Sequence, residues 1–248
     1  MRTCRHMPAS QRIASFDFEA GHILAGKFRV LSLLGRGWEG EVYKIVELGT
    51  GIERAAKLFF PYRNRRNASA RRYALKLHKL RQCDILIQYH THEFVECQGQ
   101  RITVLISEFV EGELLEHWLQ RQPAHALQPF EALHLLHELA AGIADIHAAH
   151  EYHGDLHSAN VIVRRHGLGF QIKVIDLAHW VAPRSENIQA DVLALIGLFH
   201  EVLGGAHRYR HHRAEIKAIC CGLKSTLILQ KFKTAGQIRD YLETMQWA

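Results

Sequence analysis

The 248-residue chain has no uninterrupted apolar run approaching the ~18 residues that a membrane-spanning helix requires, so no span is expected. Cysteine is scarce: Cys4, Cys83, Cys97, Cys220 and Cys221 are odd in number and form no C-x-x-C pair. That excludes a disulfide framework and suits reduced thiols in a cytoplasmic protein. The first fifteen residues are basic and free of acid but lack an apolar centre, which argues against a secretory signal. Residues 1–22 are expected to be a disordered tail. Internal repeats, low-complexity runs and a long Pro/Gly/Ser linker are all missing. One further gap is local: between Glu53 and Asp84 there is no acidic residue.

What is present is ordinary globular material, 48% hydrophobic and 23% charged. The net charge of +6 makes anionic partners plausible, whether nucleotide, nucleic acid or membrane, without selecting one. Nineteen histidines invite a search for metal spacing. His153 and His157 lie four apart but across Gly154, and His211 and His212 sit in a basic run. These read as packed or solvated imidazoles rather than a zinc site.

Residues 153–160, His-Gly-Asp-Leu-His-Ser-Ala-Asn, spell H-x-D-x-x-x-x-N and run into the apolar stretch 161–163. A second strand, 172–175, delivers the carboxylate of Asp176. A carboxylate, an amide oxygen and a second carboxylate on strand-flanked loops suit phosphoryl transfer. One acid orients the attacking hydroxyl, and the other two groups hold magnesium on nucleotide phosphates. Taken alone, an Asp after Gly is more often a turn residue, so the rest of the chain decides.

Upstream, residues 28–34 are rich in β-formers and run into Gly35-Arg36-Gly37-Trp38-Glu39-Gly40. An alternating strand at 42–48 and the turn 48–51 follow. A dinucleotide fingerprint needs a helix after its last glycine. A strand follows here, which favours a glycine flap whose missing Cβ atoms let backbone N–H groups approach phosphate. The third strand, 54–60, carries Ala55-Ala56-Lys57. Helical spacing covers 68–80, short strands are expected at 85–88, 94–97 and 102–110, and helices at 114–120, 130–150, 191–203, 215–223 and 235–246.

Glycine flap, Val42, Ala-x-Lys, H-x-D-x-x-x-x-N and Asp, in this order, resemble the protein-kinase-like superfamily over residues 24–245. The resemblance implies an α+β, two-lobed protein-kinase-like fold. Its N-lobe (23–110) is an antiparallel β-sheet with one main helix, ending in a hinge, and its C-lobe (111–248) is mostly α-helical. It implies ATP and Mg2+, with Gly35, Gly37 and Gly40 over the phosphates and Val42, Ala55 and Ile162 around the adenine. Lys57 would reach the α- and β-phosphates. Glu108 and Val110 would offer a carbonyl and an N–H to the ring, beside Ser107. Asp155 would be the catalytic acid/base, braced by His153, and Asn160 and Asp176 the metal ligands.

Departures from that pattern bear on function. The helix at 68–80 lacks the Glu that normally pairs with the strand lysine; Tyr73 or a neighbour takes its place, and Asp176 is one acid that could hold Lys57 instead. Gly154 and His157 replace an arginine and a lysine, and H-G-D-L-H is similar to aminoglycoside- and choline-kinase-like enzymes. The segment from Asp176 to Asp191 is short, and Ser185 is its only hydroxyl, which argues against a phosphorylation switch. A compact Ser/Thr protein kinase acting on a protein hydroxyl is the first reading. A small-molecule kinase is the second, and an ATP-binding pseudokinase serving as an interaction module the third. The cations at 63–81 read either as a solvated face or as a docking patch for an acidic partner. Nucleic acid is disfavoured there by the lack of interleaved aromatics.

Overall fold

Strand alternation in the first hundred residues builds one six-stranded antiparallel sheet in the computed structural model, which describes residues 12–167, 169–179 and 181–246. The chain divides into two compact units. The first contains the described residues up to Arg71 together with Tyr89–Phe109. Its strands are β1 (Ile23–Leu24), β2 (Phe28–Arg36), β3 (Gly40–Glu47), β4 (Glu53–Phe59), β5 (Tyr89–Cys97) and β6 (Gln100–Glu108). They lie in the order β1-β2-β3-β4-β6-β5. One face is the core: Val30, Tyr43, Ile45, Ala56, Leu58, Ile102, Val104 and Ile106 are buried at the alternate positions that a pleated strand turns the same way.

Two expectations about the first half of the chain are corrected. The tail expected over 1–22 extends too far. Residues 1–11 lie outside the described residues, but Ile13 and Phe16 are buried in the sheet's core. Polar bonds fasten the same stretch: Phe16 N–H donates to Glu41 Oε2 (3.2 Å), Phe18 N–H to the Tyr43 hydroxyl (3.3 Å), and Arg36 reaches both Asp17 and Glu41. Burial and the hydrogen bond to Glu41 push the Tyr43 phenol well above its ordinary pKa, so it remains a donor. Residues 85–88, expected as a strand, are not one; Leu86 makes a single parallel bridge to Val174.

The second unit contains Arg72–Gln88 and the described residues from Val110 onward. The two units part after Phe109, at the end of β6, and residues 72–88 group with the second. Helix α1 (Ala68–Lys79) passes from one unit into the other. The segment after it is held by main-chain bonds such as Val174 N–H to the Ile85 carbonyl (2.7 Å). Around it lie α2 (Leu115–Arg121), α3 (Pro129–Ala148), α4 (Ser185–Val202), α5 (Gly205–Tyr209), α6 (Ala214–Cys220), α7 (Ser225–Lys231) and α8 (Ala235–Thr244). A small antiparallel sheet joins β7 (Glu113–Leu114), β8 (Val161–His166) and β9 (Gly169–Val174). Helix α3 starts at Pro129, where the missing N–H costs nothing, and Gln128 N–H donates to Glu131 (3.3 Å). Its stripe Leu136, Leu139, Ile143 and Ile146 is buried, as are Val192, Leu195, Ile196 and Phe199 of α4. Helix α4 begins six residues before Asp191, so Ser185 is its first residue. Among the described residues no helix is long and apolar enough to cross a membrane.

Candidate active site

Strand pairing in the first unit puts the expected nucleotide-facing residues on one surface. Val42 lies opposite Lys57, and Lys44 opposite Ala55, so all four point to the same face. Tyr43 and Ala56, between them, point into the core. Ser107 pairs with Ala55 and extends that face onto β6, while Glu108 ends β6 opposite Arg54. Val110, its expected companion in binding the ring, falls in the second unit.

The glycines of the flap do different things. Gly35 and Gly37 have no atom within 4 Å of where a Cβ would be. Gly37 N–H donates to the Gly40 carbonyl (2.8 Å), closing the hairpin. At Gly40 a Cβ would lie 1.8 Å from the Leu58 carbonyl oxygen, so this glycine is required by the close approach of β4. An acid beside Lys57 comes from the flap itself. Glu39 Oε2 is 3.3 Å from the ammonium, with side-chain exposures of 14% and 13%, low enough to strengthen the attraction. The sequence reading missed Glu39; its signal was a lone acid inside a glycine hairpin one strand from the lysine.

In the second unit the loop 153–160 is organised around Asp191, a carboxylate only 1% exposed. It accepts from His153 N–H and Gly154 N–H (both 2.7 Å) and sits 3.1 Å from His147 Nε2. His153 is fully buried. Its Nε2 faces the Ile175 carbonyl (3.0 Å), and Asp155 N–H donates to its Nδ1 (3.2 Å). A carbonyl can only accept, so the ring is the neutral Nε2–H tautomer. Burial lowers its pKa in the same sense. Asp155 is left with a carboxylate that is 60% exposed, 3.6 Å from His157 Nε2.

Asn160 is buried, and its amide nitrogen donates to the Asp155 carbonyl (2.8 Å) and carboxylate (3.1 Å) and lies 3.0 Å from His157 Nε2. That commits the NH2 and leaves Oδ1 as the polar atom able to face a cation. Ile175 N–H donates to the Asn160 carbonyl (3.0 Å), which ties the loop to the residue preceding Asp176. Asp176 itself has φ +57°. An amide oxygen and a carboxylate on tied segments are a hard-oxygen donor pair that fits Mg2+, an ion that keeps waters and takes phosphate oxygens for its remaining positions. No group of three or more His, Cys, Asp or Glu that could hold a metal ion occurs among the described residues. Ile162, on β8 opposite Leu114, is half-buried.

The family model of the protein kinase domain matches residues 28–213. The chain belongs to that family. It is 30% identical over 177 residues to the serine/threonine-protein kinase pkn2 of Myxococcus xanthus, covering 71% of this chain and 21% of that protein. It is also 30% identical over 167 residues to the dual specificity testis-specific protein kinase 1 of Mus musculus, covering 66% and 25%. The chain thus spans a quarter or less of the length of these relatives. The crystal structure of the PknI kinase domain of Mycobacterium tuberculosis superposes with a TM-score of 0.68 at 19% identity, covering 91% of this chain and 98% of that one. The fold is the two-lobed protein kinase fold.

Proposed function

We propose that this domain is an ATP-dependent serine/threonine protein kinase, transferring the γ-phosphate of Mg-ATP to a protein hydroxyl. The observation that carries the reading is the state of Asp155. Its backbone N–H is fixed on His153, Asn160 reaches both its carbonyl and its carboxylate, and the carboxylate still stands in solvent where a hydroxyl could approach. In this reading Asp155 orients the acceptor hydroxyl and takes its proton. Asn160 Oδ1 and Asp176 hold magnesium, which would neutralise charge on the phosphates. Lys57 binds phosphate oxygens, with Gly35 and Gly37 presenting backbone above them. Val42, Ala55 and Ile162 are the apolar surfaces for the base, and Glu108 and Val110 its main-chain partners. Positioning and charge neutralisation account for most of the rate enhancement in such chemistry. The names of the bacterial and mammalian relatives support a hydroxyl on protein as the acceptor.

The exposed side of α1 carries Arg71, Arg72, His78 and Lys79 around Leu75, which is 58% exposed. That composition fits an acidic protein segment with an apolar anchor. Charge reversal of Arg71 and Arg72 should weaken capture of such a segment and spare ATP turnover.

Magnesium-dependent transfer of labelled phosphate tests the metal assignment. Asp176→Ala should lose it, and a variant that keeps wild-type turnover would remove Asp176 from the metal site.

A further inference from the structure

The catalytic-loop unit contains a buried cation that the proposed chemistry does not use. Lys76 lies on the inner side of α1, in the helical register Tyr73, Lys76, Leu77, Leu80 that is otherwise apolar and buried. It is only 8% exposed. Its ammonium donates to the carbonyls of Tyr152 (2.6 Å) and Ala178 (2.5 Å), lies 3.5 Å from Glu151 Oε2, and stands 4.0 Å above the Tyr152 ring. Those partners have a common meaning. Tyr152 immediately precedes His153-Gly154-Asp155, and Ala178 is two residues past Asp176.

We propose that Lys76 is a positioning residue that fastens the entry to the catalytic loop and the exit from the metal-binding segment to one point on α1. A buried ammonium is tolerated only where its protons are satisfied. Here two carbonyls, a carboxylate and a ring face surround it, while burial pulls its pKa down. The joint is reinforced from both sides. Ala178 N–H donates to the His153 carbonyl (2.8 Å), and the Tyr152 hydroxyl donates to the Val181 carbonyl (2.9 Å). Gly154 completes it. Its φ is +82°, and a Cβ there would fall 2.6 Å from the Tyr152 ring and 2.7 Å from the Ala178 methyl. No side chain can enter at that position, because Tyr152 and Ala178 fill the space. Residues 177–184 contain no Ser, Thr or Tyr, so phosphorylation of a hydroxyl within them cannot do the fastening. A lysine supplied by the helix does it permanently.

The catalytic consequence rests on the kinase reading; the fastening does not, and the test separates them. Hydrogen exchange would be compared among the wild type, Lys76→Met and Lys76→Arg. In Lys76→Met, amides at Asp155 and Ala178 should exchange about tenfold faster, a local opening, while Val104 and Ile106 in the sheet keep their protection. Lys76→Arg, which can still donate to both carbonyls, should restore it. In the transfer assay Lys76→Met should lower kcat about tenfold with KM for ATP within about twofold. Unchanged exchange at Asp155 and Ala178 would overturn the proposal, as would an acceleration spread equally over the sheet. Should Lys76→Met not fold, Lys76→Gln, polar but too short to put a donor between both carbonyls, is read by the same two criteria. A wild type without transfer would count against the kinase reading and leave Lys76 to be judged by exchange.

Discussion

Lys57 and Lys76 are both lysines with little solvent exposure, yet they are held by different kinds of partner. Lys57, on β4, faces the carboxylate of Glu39 on a neighbouring hairpin. Lys76, on α1, donates to the main-chain carbonyls of Tyr152, ahead of Asp155, and of Ala178, past Asp176. A side-chain carboxylate can be exchanged for another anion, such as a phosphate, with the charge still balanced. The two carbonyls of Lys76 offer no such exchange, with Glu151 at 3.5 Å balancing the charge, and removing the ammonium leaves them to find other donors. Lys57 thus has a side-chain carboxylate beside it, and Lys76 is tied chiefly to the main chain.

The largest effect expected is on the helical side. Asp191→Ala removes the acceptor for the buried His153 N–H and the part-buried Gly154 N–H, and the partner of His147, and should cost about 3–5 kcal/mol. Thermal unfolding would show this as a melting temperature lowered by roughly 10 °C. A shift of a degree or two would mean that the loop does not depend on Asp191.

On the sheet side, Gly40→Ala places a Cβ against the Leu58 carbonyl and should cost about 2–3 kcal/mol through forced separation of β3 and β4. Gly37→Ala, in open space, should be close to neutral by the same melting measurement. Equal effects of the two would remove the packing explanation for Gly40.

Glu39→Gln should reduce kcat/KM for Mg-ATP about three- to tenfold, and Lys57→Met about a hundredfold. In a double-mutant cycle the Glu39 effect should vanish when Lys57 is already methionine, since the pair is then gone. Additive losses would mean that Glu39 acts on the flap and not through the lysine.

The smallest effect is the contribution of His153 to pH dependence. Its folded pKa is depressed by burial below the ordinary value of about 6.5, so the unfolded state takes up its proton first. Its contribution to stability is therefore complete above about pH 6.5 and declines as pH falls below that. Protonation would also consume the Nδ1 lone pair that holds Asp155 N–H. His153→Asn should flatten this part of the stability–pH curve, and an unchanged curve would assign the dependence elsewhere.

Much of this was legible in the sequence wherever function follows local spacing. The loop 153–160 and Asp176 are each set by a few consecutive residues next to apolar strands. Val42, Ala55 and Lys57 share a face because strand periodicity is two. What was missed depends on contacts between distant residues. Glu39 and Lys76 are ordinary charged residues until the fold brings one beside Lys57 and the other under Tyr152. Ile13 and Phe16 belong to a short apolar cluster with no clear period, and only the sheet face they cover explains them. The start of α4 was hidden because residues 185–190 are mostly polar and exposed, so its apolar signal begins only near Asp191.

The central claim, that Asp155 is the group around which phosphoryl transfer is built, is tested most directly by one comparison. Wild-type protein and Asp155→Ala would be incubated with γ-labelled Mg-ATP, first alone and then with a generic protein substrate. Label on protein in the wild type and its loss in the variant, with the melting temperature unchanged, is the predicted result. Equal labelling by both proteins would contradict the account.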